Sequence, residues 1–280
     1  MPTIRDVAEL AGVAPITVSR VINNSGYVSD ETRKRVEAAA EKLGYVPNQL
    51  ARGLRSKRTH TLGLILTDIT NPFWTTLARG VEDTASEKDF NVIFCNTDES
   101  EVKQKKQVRV LLQKQVDGFL LVPASNTSED VIWIQNQDVP VVVLDRKIPV
   151  EVDCVRADSE GGAYQLTQHL LKLGHRKIAV LGGHQELSVV SERVAGYNRA
   201  LSEAGLNVDE SLIFYREFTQ TAGYEMAQQA LLIKPCPTAM FALNNSIAIG
   251  AMRGINDARI RVPEDISLVG FDDLPHSFAI

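Results

Sequence analysis

The sequence predicts an α/β protein in which a small helical head precedes a larger core built on parallel sheets. The chain of 280 residues is longer than one hydrophobic core usually organises. From residue 61 onward, short apolar runs alternate with helical segments, which is typical of parallel sheets with crossover helices. The first 60 residues are, in contrast, helical in pattern and basic. These observations predict at least two units with different roles.

The composition limits the classes of protein to which the chain can belong. With 44% hydrophobic and 23% charged residues it can bury a core, and no stretch approaches the ~18 apolar residues of a membrane span. The first ten residues carry Arg5, Asp6 and Glu9 where a signal peptide would need apolar residues. Three scattered cysteines without a CxxC pair predict neither disulfides nor a zinc site. We therefore expect a cytoplasmic protein with no membrane contact, metal or cofactor.

The net charge of −5 is unevenly distributed. Residues 1–60 hold ten basic and six acidic side chains, a net charge of +4, which leaves −9 for the rest of the chain. A basic head on an acidic body suggests that the head meets a polyanion such as nucleic acid. Ordinary variation of surface charge gives differences of the same size. The charge alone therefore does not establish nucleic-acid binding, and the sequence motifs have to distinguish the two interpretations.

The head has the spacing of three short helices. Apolar residues from Ile4 to Ala11 follow the spacing of an amphipathic helix, and a glycine ends it. A second helix is expected to begin at Pro15, since proline suits the first turn. A third is expected from Ser29, as its N-cap, to Gly44. This pattern predicts a helix-turn-helix unit over residues 1–46, although a generic helical bundle has similar spacing.

The core has seven apolar runs, over residues 62–66, 91–95, 118–122, 140–144, 177–181, 238–242 and 266–270. Their continuous hydrophobicity predicts strands that are covered on both faces, connected by right-handed crossovers. The crossover helices are expected over residues 73–88, 100–115, 159–173, 189–204, 221–233 and 245–257. In such sheets ligands bind beyond the carboxyl ends of the strands.

The head resembles a known DNA-binding family along nearly its whole length. The run TIRDVAELAGVAPITVSRVINNSGYVSDETRKRVEAAAEKLGYVPNQLARGL is similar to the headpiece of the lactose-repressor (LacI/GalR) family of bacterial transcription regulators. The resemblance implies that the helix starting at Pro15 enters the major groove, with Pro15, Ile16 and Arg20 near base edges. It also implies further DNA contacts at Thr3, Thr17, Ser19, Asn23, Ser29 and Thr32. Ala14 departs from the family's usual serine, so this helix lacks a hydroxyl N-cap.

Residues 47–60 resemble the family's hinge, which is a short helix only when two copies meet on the operator. Leu54 falls on the wedge position, where an apolar side chain inserted between base steps kinks DNA from the minor groove. Arg55 is placed to neutralise phosphate. Away from DNA the segment is expected to be a solvated basic linker, because about ten residues cannot sustain a helix alone. The resemblance implies a homodimer on a pseudo-palindromic operator.

Residues that follow the predicted strands resemble the effector cleft of the same regulators and of related periplasmic sugar-binding proteins. The resemblance implies a two-lobed periplasmic-binding-protein-like core, with an N-lobe over 61–157 and a C-lobe over 158–280. The candidate effector-binding residues are Asn71, Phe73, Trp74, Asp145, Arg146, Arg193, Phe218, Asn245 and Asp272. Aromatic side chains can stack on a sugar ring, and Arg, Asp and Asn side chains can form paired hydrogen bonds with its hydroxyls. Taken singly, these residues also fit a turn, a strand-end cap, core packing or, for Arg193, a surface ion pair.

Two departures from the family pattern bear on the effector and on the end of the chain. The family commonly has aspartate where Asn245 stands, which leaves the identity of the effector open. Family members normally return to the first lobe after the segment that ends at Asp273. We therefore expect the C-lobe to be incomplete as written, and the open alternative is that this lobe closes differently.

The sequence contains no motif of an enzyme: there is no P-loop, no GxGxxG after the first strand, no GxSxG and no histidine cluster. A receptor of the exported type would lack the head. The prediction is a repressor of a carbohydrate-utilisation operon, controlled by a small sugar or sugar derivative. The open alternative is a family regulator that responds to a protein co-regulator or to a non-sugar metabolite.

Overall fold

A computed structural model of the chain describes residues 2–46 and 58–274. The chain divides into two units, Met1–Thr59 and His60–Ile280. The predicted hinge contacts Leu54 and Arg55 lie outside the described residues. Within the described ranges, no helix is both long and apolar enough to cross a membrane.

The first unit contains the three predicted helices, α1 (Ile4–Ala11), α2 (Pro15–Ile22) and α3 (Asp30–Leu43). Thr3 and Asp6 form a capping box at the start of α1, and a glycine in the left-handed conformation ends both α1 and α3. Small and β-branched side chains form the core between the helices, namely Val7, Ala8, Ala11, Val18, Val21, Val36 and Ala39. Because these side chains are short, the three helices pack closely and leave one side of α2 exposed.

The N-lobe of the second unit has a parallel sheet of five strands in the order β2-β1-β3-β4-β5 across the described residues. The strands are β1 (Thr61–Leu66), β2 (Asn91–Asn96), β3 (Gly118–Leu121), β4 (Val141–Leu144) and β5 (Asp153–Val155). The helices are α4 (Pro72–Ser86), α5 (Glu101–Gln113) and α6 (Glu129–Gln135).

The C-lobe has a parallel sheet of four strands in the order β7-β6-β8-β9, again across the described residues. The strands are β6 (Ile178–Gly182), β7 (Ile213–Tyr215), β8 (Ala239–Ala242) and β9 (Ser267–Gly270). The helices are α7 (Ser159–Lys172), α8 (Ser188–Glu203), α9 (Gln220–Leu232) and α10 (Asn245–Asp257), and a 3₁₀ turn spans Glu210–Leu212. The central strands β6 and β8 are buried along their whole length, as their apolar runs predict.

The structure differs from the sequence prediction at the sheet edges. The run that forms β2 was expected to be covered on both faces, and this is wrong: β2 is an edge strand, and Phe94 in it is 45% exposed. The prediction also missed β5 and β7, which have three residues each and lie at sheet edges, and the short helix α6. Strands of three residues give a weak sequence signal even where they are apolar, as in the IFY of β7, so their pairing depends on the neighbouring strand.

Candidate functional site

A cavity of about 390 Å³ lies between the two lobes of the second unit. Residues that follow β1, β2 and β4 line it from the N-lobe, and residues that follow β6 to β9 line it from the C-lobe. All these strands are parallel within their sheets, so their carboxyl ends meet at one edge of each lobe. The lining includes eight predicted effector contacts: Asn71, Phe73, Trp74, Asp145, Arg146, Arg193, Phe218 and Asp272.

The ninth predicted contact, Asn245, occupies a different position. It is buried at the start of α10 and exchanges two hydrogen bonds of 2.9 Å with Asn71, the N-cap of α4. Each amide donates through Nδ2 and accepts through Oδ1. An ionised carboxylate at residue 245 could accept a hydrogen bond but could not donate one. Asn245 is not among the residues that line the cavity, whereas its neighbour Asn244 is. The amide pair therefore connects the two lobes beside the cavity.

Arg146 is fully buried and is held on both terminal nitrogens. Nη1 and Nη2 each donate a hydrogen bond of 2.6 Å to the carboxylate of Glu99, and Nη1 also donates to the Pro123 carbonyl at 2.6 Å. Glu99 was not among the residues predicted from the sequence. The signal that could have found it is its position just after the predicted strand over 91–95, at the same sheet edge as Asp145 and Arg146.

Arg193 is buried in helix α8, on the C-lobe side of the cavity. Its Nη1 donates to the Leu243 carbonyl, and its guanidinium carbon lies 3.7 Å from the ring centroid of Phe271. This is the geometry of a cation–π contact. Its Nε is buried and has no hydrogen-bond partner among the described atoms, so a ligand oxygen could occupy that donor. Burial lowers the pKa of Arg193, and the nearby carboxylates of Asp272 and Asp145 act in the opposite direction.

Asp145 and Asp272 supply carboxylates from opposite lobes. Burial raises the pKa of both above the ordinary aspartate value, and the Arg193 charge is the largest opposing influence on each. Asp145 has a φ of 65°, in the left-handed region that aspartate and asparagine adopt more readily than other residues with a side chain. Together with Arg193, these carboxylates form a polar group that can both donate to and accept from a hydroxylated ligand.

The aromatic residues divide between the cavity and the core. Trp74 is only 7% exposed and packs with the N-lobe core residues Leu64 and Leu66, while Phe73 meets its ring edge-on at 4.7 Å and is more exposed. Phe218 lies against Gly183, where a Cβ atom would come within 2.6 Å of its ring. Phe73 and Phe218 thus offer aromatic surface from opposite lobes, while most of the Trp74 side chain packs in the core.

In the head, α2 presents one face to solvent and the other to the core. Val18 and Val21 are buried, whereas Pro15, Ile16 and Arg20 are exposed on the same helix. Ala14, at the N-cap of α2, provides no side-chain hydrogen bond, as its sequence predicts.

The remaining predicted DNA contacts in the described part of the head lie at helix ends or are linked in pairs. Thr3 caps α1, and Asn23 Nδ2 donates to the backbone carbonyl of Ser19 at 2.8 Å. The Ser29 hydroxyl donates to Thr32 Oγ1 at 2.9 Å, and Thr17 is half-buried in the first turn of α2. These bonds give the polar side chains fixed positions at the ends of α1, α2 and α3.

The fold and the two surfaces define a class: a DNA-binding head of helix-turn-helix type joined to a core that has a cavity between two parallel α/β lobes. Residues 3–48 match the bacterial regulatory proteins of the lacI family, and residues 59–279 match the periplasmic binding proteins and sugar binding domain of the LacI family. The chain belongs to the LacI family. It is a DNA-binding transcriptional repressor of that type, not an enzyme.

Individual relatives agree with this assignment. The chain is 38% identical over 278 residues to the HTH-type transcriptional repressor PurR of Photobacterium profundum, covering 98% of this chain and 83% of PurR. Among solved structures, the Lac repressor dimer bound to operator and the anti-inducer ONPF matches with a TM-score of 0.87 and 30% identity, over 99% of this chain and 84% of that one. The transcriptional regulator CelR–cellobiose complex matches with a TM-score of 0.71 and 34% identity, over 96% and 82% of the two chains.

Proposed function

We propose that this repressor controls a carbohydrate-utilisation operon and that a small sugar or sugar derivative binds in the cavity between the lobes. The observation that carries the proposal is the group formed by the buried Arg193 and the half-buried Asp145 and Asp272, which can bind paired hydroxyls. Phe73 and Phe218 line the same cavity and add aromatic surface. The cavity volume of about 390 Å³ falls in the usual range of small-molecule sites. The similarity to a regulator solved with cellobiose supports the same class of ligand.

On the DNA side, we propose a homodimer that binds a pseudo-palindromic operator. The exposed side chains of Pro15, Ile16 and Arg20 would face base edges from α2. The polar residues Thr3, Thr17, Ser19, Asn23, Ser29 and Thr32 would face phosphates, with Leu54 and Arg55 acting from the linker. The matched Lac repressor structure is a dimer bound to operator, which supports this arrangement.

Control is proposed to be a population shift. A sugar that binds one arrangement of the lobes more tightly than another changes the population of each arrangement, and operator affinity changes with it. The Asn71–Asn245 amide pair and the contact of the Lys147 backbone N–H with Ser188 Oγ at 2.7 Å join the lobes beside the cavity. These contacts belong to one arrangement, and a ligand that reinforces them favours it.

The test is calorimetric titration of the protein with a panel of neutral mono- and disaccharides. We expect one sugar to bind the wild type, and binding to be lost in Arg193→Ala and Asp145→Ala while both variants still bind operator DNA. Operator affinity that responds to a protein co-regulator or a non-sugar metabolite, with no sugar bound, would contradict the proposal. A variant that loses operator binding at an unchanged melting temperature would show that the cavity is misassigned.

A further inference from the structure

Carboxylates outnumber guanidinium groups among the described residues that line the cavity, and one of them, Asp98, is paired with Lys103 from outside the lining. The described lining residues include six carboxylates, on Asp68, Asp98, Glu99, Asp145, Glu217 and Asp272, and two guanidinium groups, on Arg146 and Arg193. We propose that the effector is an uncharged sugar and that Glu99 is the residue that excludes sugar phosphates and other anionic sugars. This inference rests on the proposed function, because it concerns the ligand of the same cavity.

The arginine that could bind a phosphate is already occupied by Glu99. Arginine binds phosphate and carboxylate through two parallel N–H groups. An anionic ligand can bind in this way only where those two N–H groups have no other acceptor. In Arg146 both terminal nitrogens donate to Glu99 and one also donates to the Pro123 carbonyl. A phosphate that binds Arg146 through both terminal nitrogens would therefore have to displace this carboxylate. The Nε of Arg146 is buried and has no hydrogen-bond partner among the described atoms, so that donor remains available to a ligand oxygen.

The second guanidinium group is also engaged. Arg193 donates Nη1 to the Leu243 carbonyl, and its guanidinium carbon lies 3.7 Å from the centroid of the Phe271 ring. Its Nε has no hydrogen-bond partner among the described atoms and can donate to a ligand oxygen. Among the charges that influence the pKa of Arg193, the carboxylates of Asp272 and Asp145 have the largest effect, and both raise it. Charges in a site that excludes water interact more strongly than charges in bulk solvent, so uncompensated carboxylates repel an anionic ligand. Neutral hydroxyls, in contrast, can accept from the remaining donors and donate to the carboxylates.

The backbone that presents Glu99 is held in an unfavourable conformation. Asp98 and Glu99 have successive φ values of 49° and 56°, both in the left-handed region, directly after strand β2. Such conformations persist only where the surroundings hold them, and they concentrate at functional sites. Here Asn96 and Lys103 both donate to the Asp98 carboxylate and fix the turn. The strained turn carries Glu99 to the cavity and to Arg146.

The test compares matched neutral and phosphorylated sugars by calorimetry on the full chain. The probes are ribose with ribose 5-phosphate, glucose with glucose 6-phosphate, galactose with galactose 6-phosphate, and cellobiose with its 6-phosphate. We expect the wild type to bind the neutral member of at least one pair about tenfold or more tightly than its phosphate. Glu99→Gln keeps a hydrogen-bond acceptor for Arg146 but removes the charge, so it should narrow this preference by roughly tenfold. Glu101→Gln, two residues away and exposed, is the control and should leave the preference unchanged.

The double variant Glu99→Gln/Arg146→Gln separates charge from shape. It removes one negative and one positive charge, so the balance in the cavity returns to that of the wild type, and the preference for the neutral sugar should return as well. A preference that stays narrowed in the double variant, or an unchanged preference in a folded Glu99→Gln protein, would overturn the inference.

The wild type alone provides a test even if Glu99→Gln does not fold. A phosphorylated sugar that binds as tightly as its neutral parent, or more tightly, overturns the inference and leaves the proposed function standing. Absence of binding by every sugar in the panel, neutral or phosphorylated, would instead contradict the proposed function itself.

Discussion

At the scale of single residues, burial is the main influence on the pKa values of Asp145 and Asp272, the two carboxylates that face the cavity beside Arg193. The pKa values of Asp145 and Asp272 are raised because the carboxylates lose contact with water, and the nearby Arg193 only partly offsets this. Buried charges that are incompletely paired lower the stability of the free protein. They are retained where a ligand completes the pairing, which is the usual signature of a binding site.

Asp145→Asn should raise the melting temperature at pH 7 and abolish sugar binding. Because the folded pKa of Asp145 lies above its unfolded value, the folded state binds more protons between the two values. Stability is therefore lost as the pH rises through that window and stays lower above it. Asparagine removes this loss and tolerates the left-handed φ of 65°. The gain, measured by thermal unfolding, should be present at pH 7 and shrink as the pH falls toward about 4.

Asp145→Ala is the matched comparison, because it removes the same charge but is strained by about 1 kcal/mol in the left-handed region. We expect it to melt below Asp145→Asn at every pH. Equal melting temperatures for the two variants, or a gain that grows in acid, would refute this account of Asp145.

The sequence predicts which residues lie at the sheet edge better than it predicts which hydrogen-bond partners those residues have. Asp145 and Arg146 were placed at the cavity because they follow an apolar run, and the structure places them there. Asn245 was expected to face the ligand, yet it pairs with Asn71 across the lobes. The pairing depends on how closely two segments far apart in the sequence approach each other in the fold. A local sequence pattern carries no information about that distance. The bond between Glu99 and Arg146 could not be predicted for the same reason.

At the scale of elements, glycines set the distance between neighbouring helices of the C-lobe. A Cβ atom on Gly196 of α8 would lie 2.2 Å from the Glu160 carbonyl oxygen and 2.8 Å from the Tyr164 nitrogen, both in α7. At Gly250 of α10, the Gln220 carbonyl oxygen would be only 1.9 Å away. These neighbours are backbone atoms, so the helices must move apart to accept a side chain.

We expect Gly196→Ala to destabilise the protein by about 1–3 kcal/mol, because it overpacks this crossing. In a protein of this size each kcal/mol lowers the melting temperature by roughly 2–4 °C. Ser202→Ala introduces the same residue on an exposed position of the same helix and should change the melting temperature little. A Gly196→Ala protein that melts like the wild type would show that α7 and α8 do not pack as closely as described.

Helix α2, which we propose to face the base edges, should become more stable when its missing cap is supplied. Ala14 has the extended backbone of an N-cap but no side-chain oxygen, so Ala14→Ser should add about 0.5–2 kcal/mol to the local stability of α2. Hydrogen exchange at the backbone amides of the first turn of α2 measures this, and exchange there should slow. Ala40→Ser, away from any N-cap in α3, should give no such protection. Unchanged exchange in Ala14→Ser would mean that the first turn of α2 is capped in another way.

The elements themselves were largely predictable, and the exceptions have a common cause. Helices with clear end signals, such as α1 before Gly12 and α3 after Ser29, were predicted close to their observed bounds. Central strands were found by their apolar runs. The strands β5 and β7 were missed because each has three residues at a sheet edge and depends on the neighbouring strand for its pairing.

At the scale of the whole molecule, the separation of charge along the chain indicates how each unit should respond to salt. A net charge of +4 over residues 1–60 and −9 over the remainder predicts that DNA binding, but not sugar binding, depends steeply on ionic strength. With six or more phosphate contacts, operator affinity should fall about a thousandfold between 50 and 200 mM salt. Calorimetric binding of an uncharged sugar should barely change over the same range. A flat response of the operator complex, followed by fluorescence anisotropy, would contradict an electrostatic role for the head.

The central claim is that a sugar in the cavity controls the affinity of the head for its operator. The most direct measurement is a fluorescence-anisotropy titration of an operator duplex, selected by the protein from random sequences, with and without the sugar identified by calorimetry. We predict a change in operator affinity of about 5- to 150-fold in the wild type. We predict no change in Asp145→Asn, whose operator affinity without sugar should equal that of the wild type. Operator affinity that stays the same while the sugar is bound at saturation would contradict the claim.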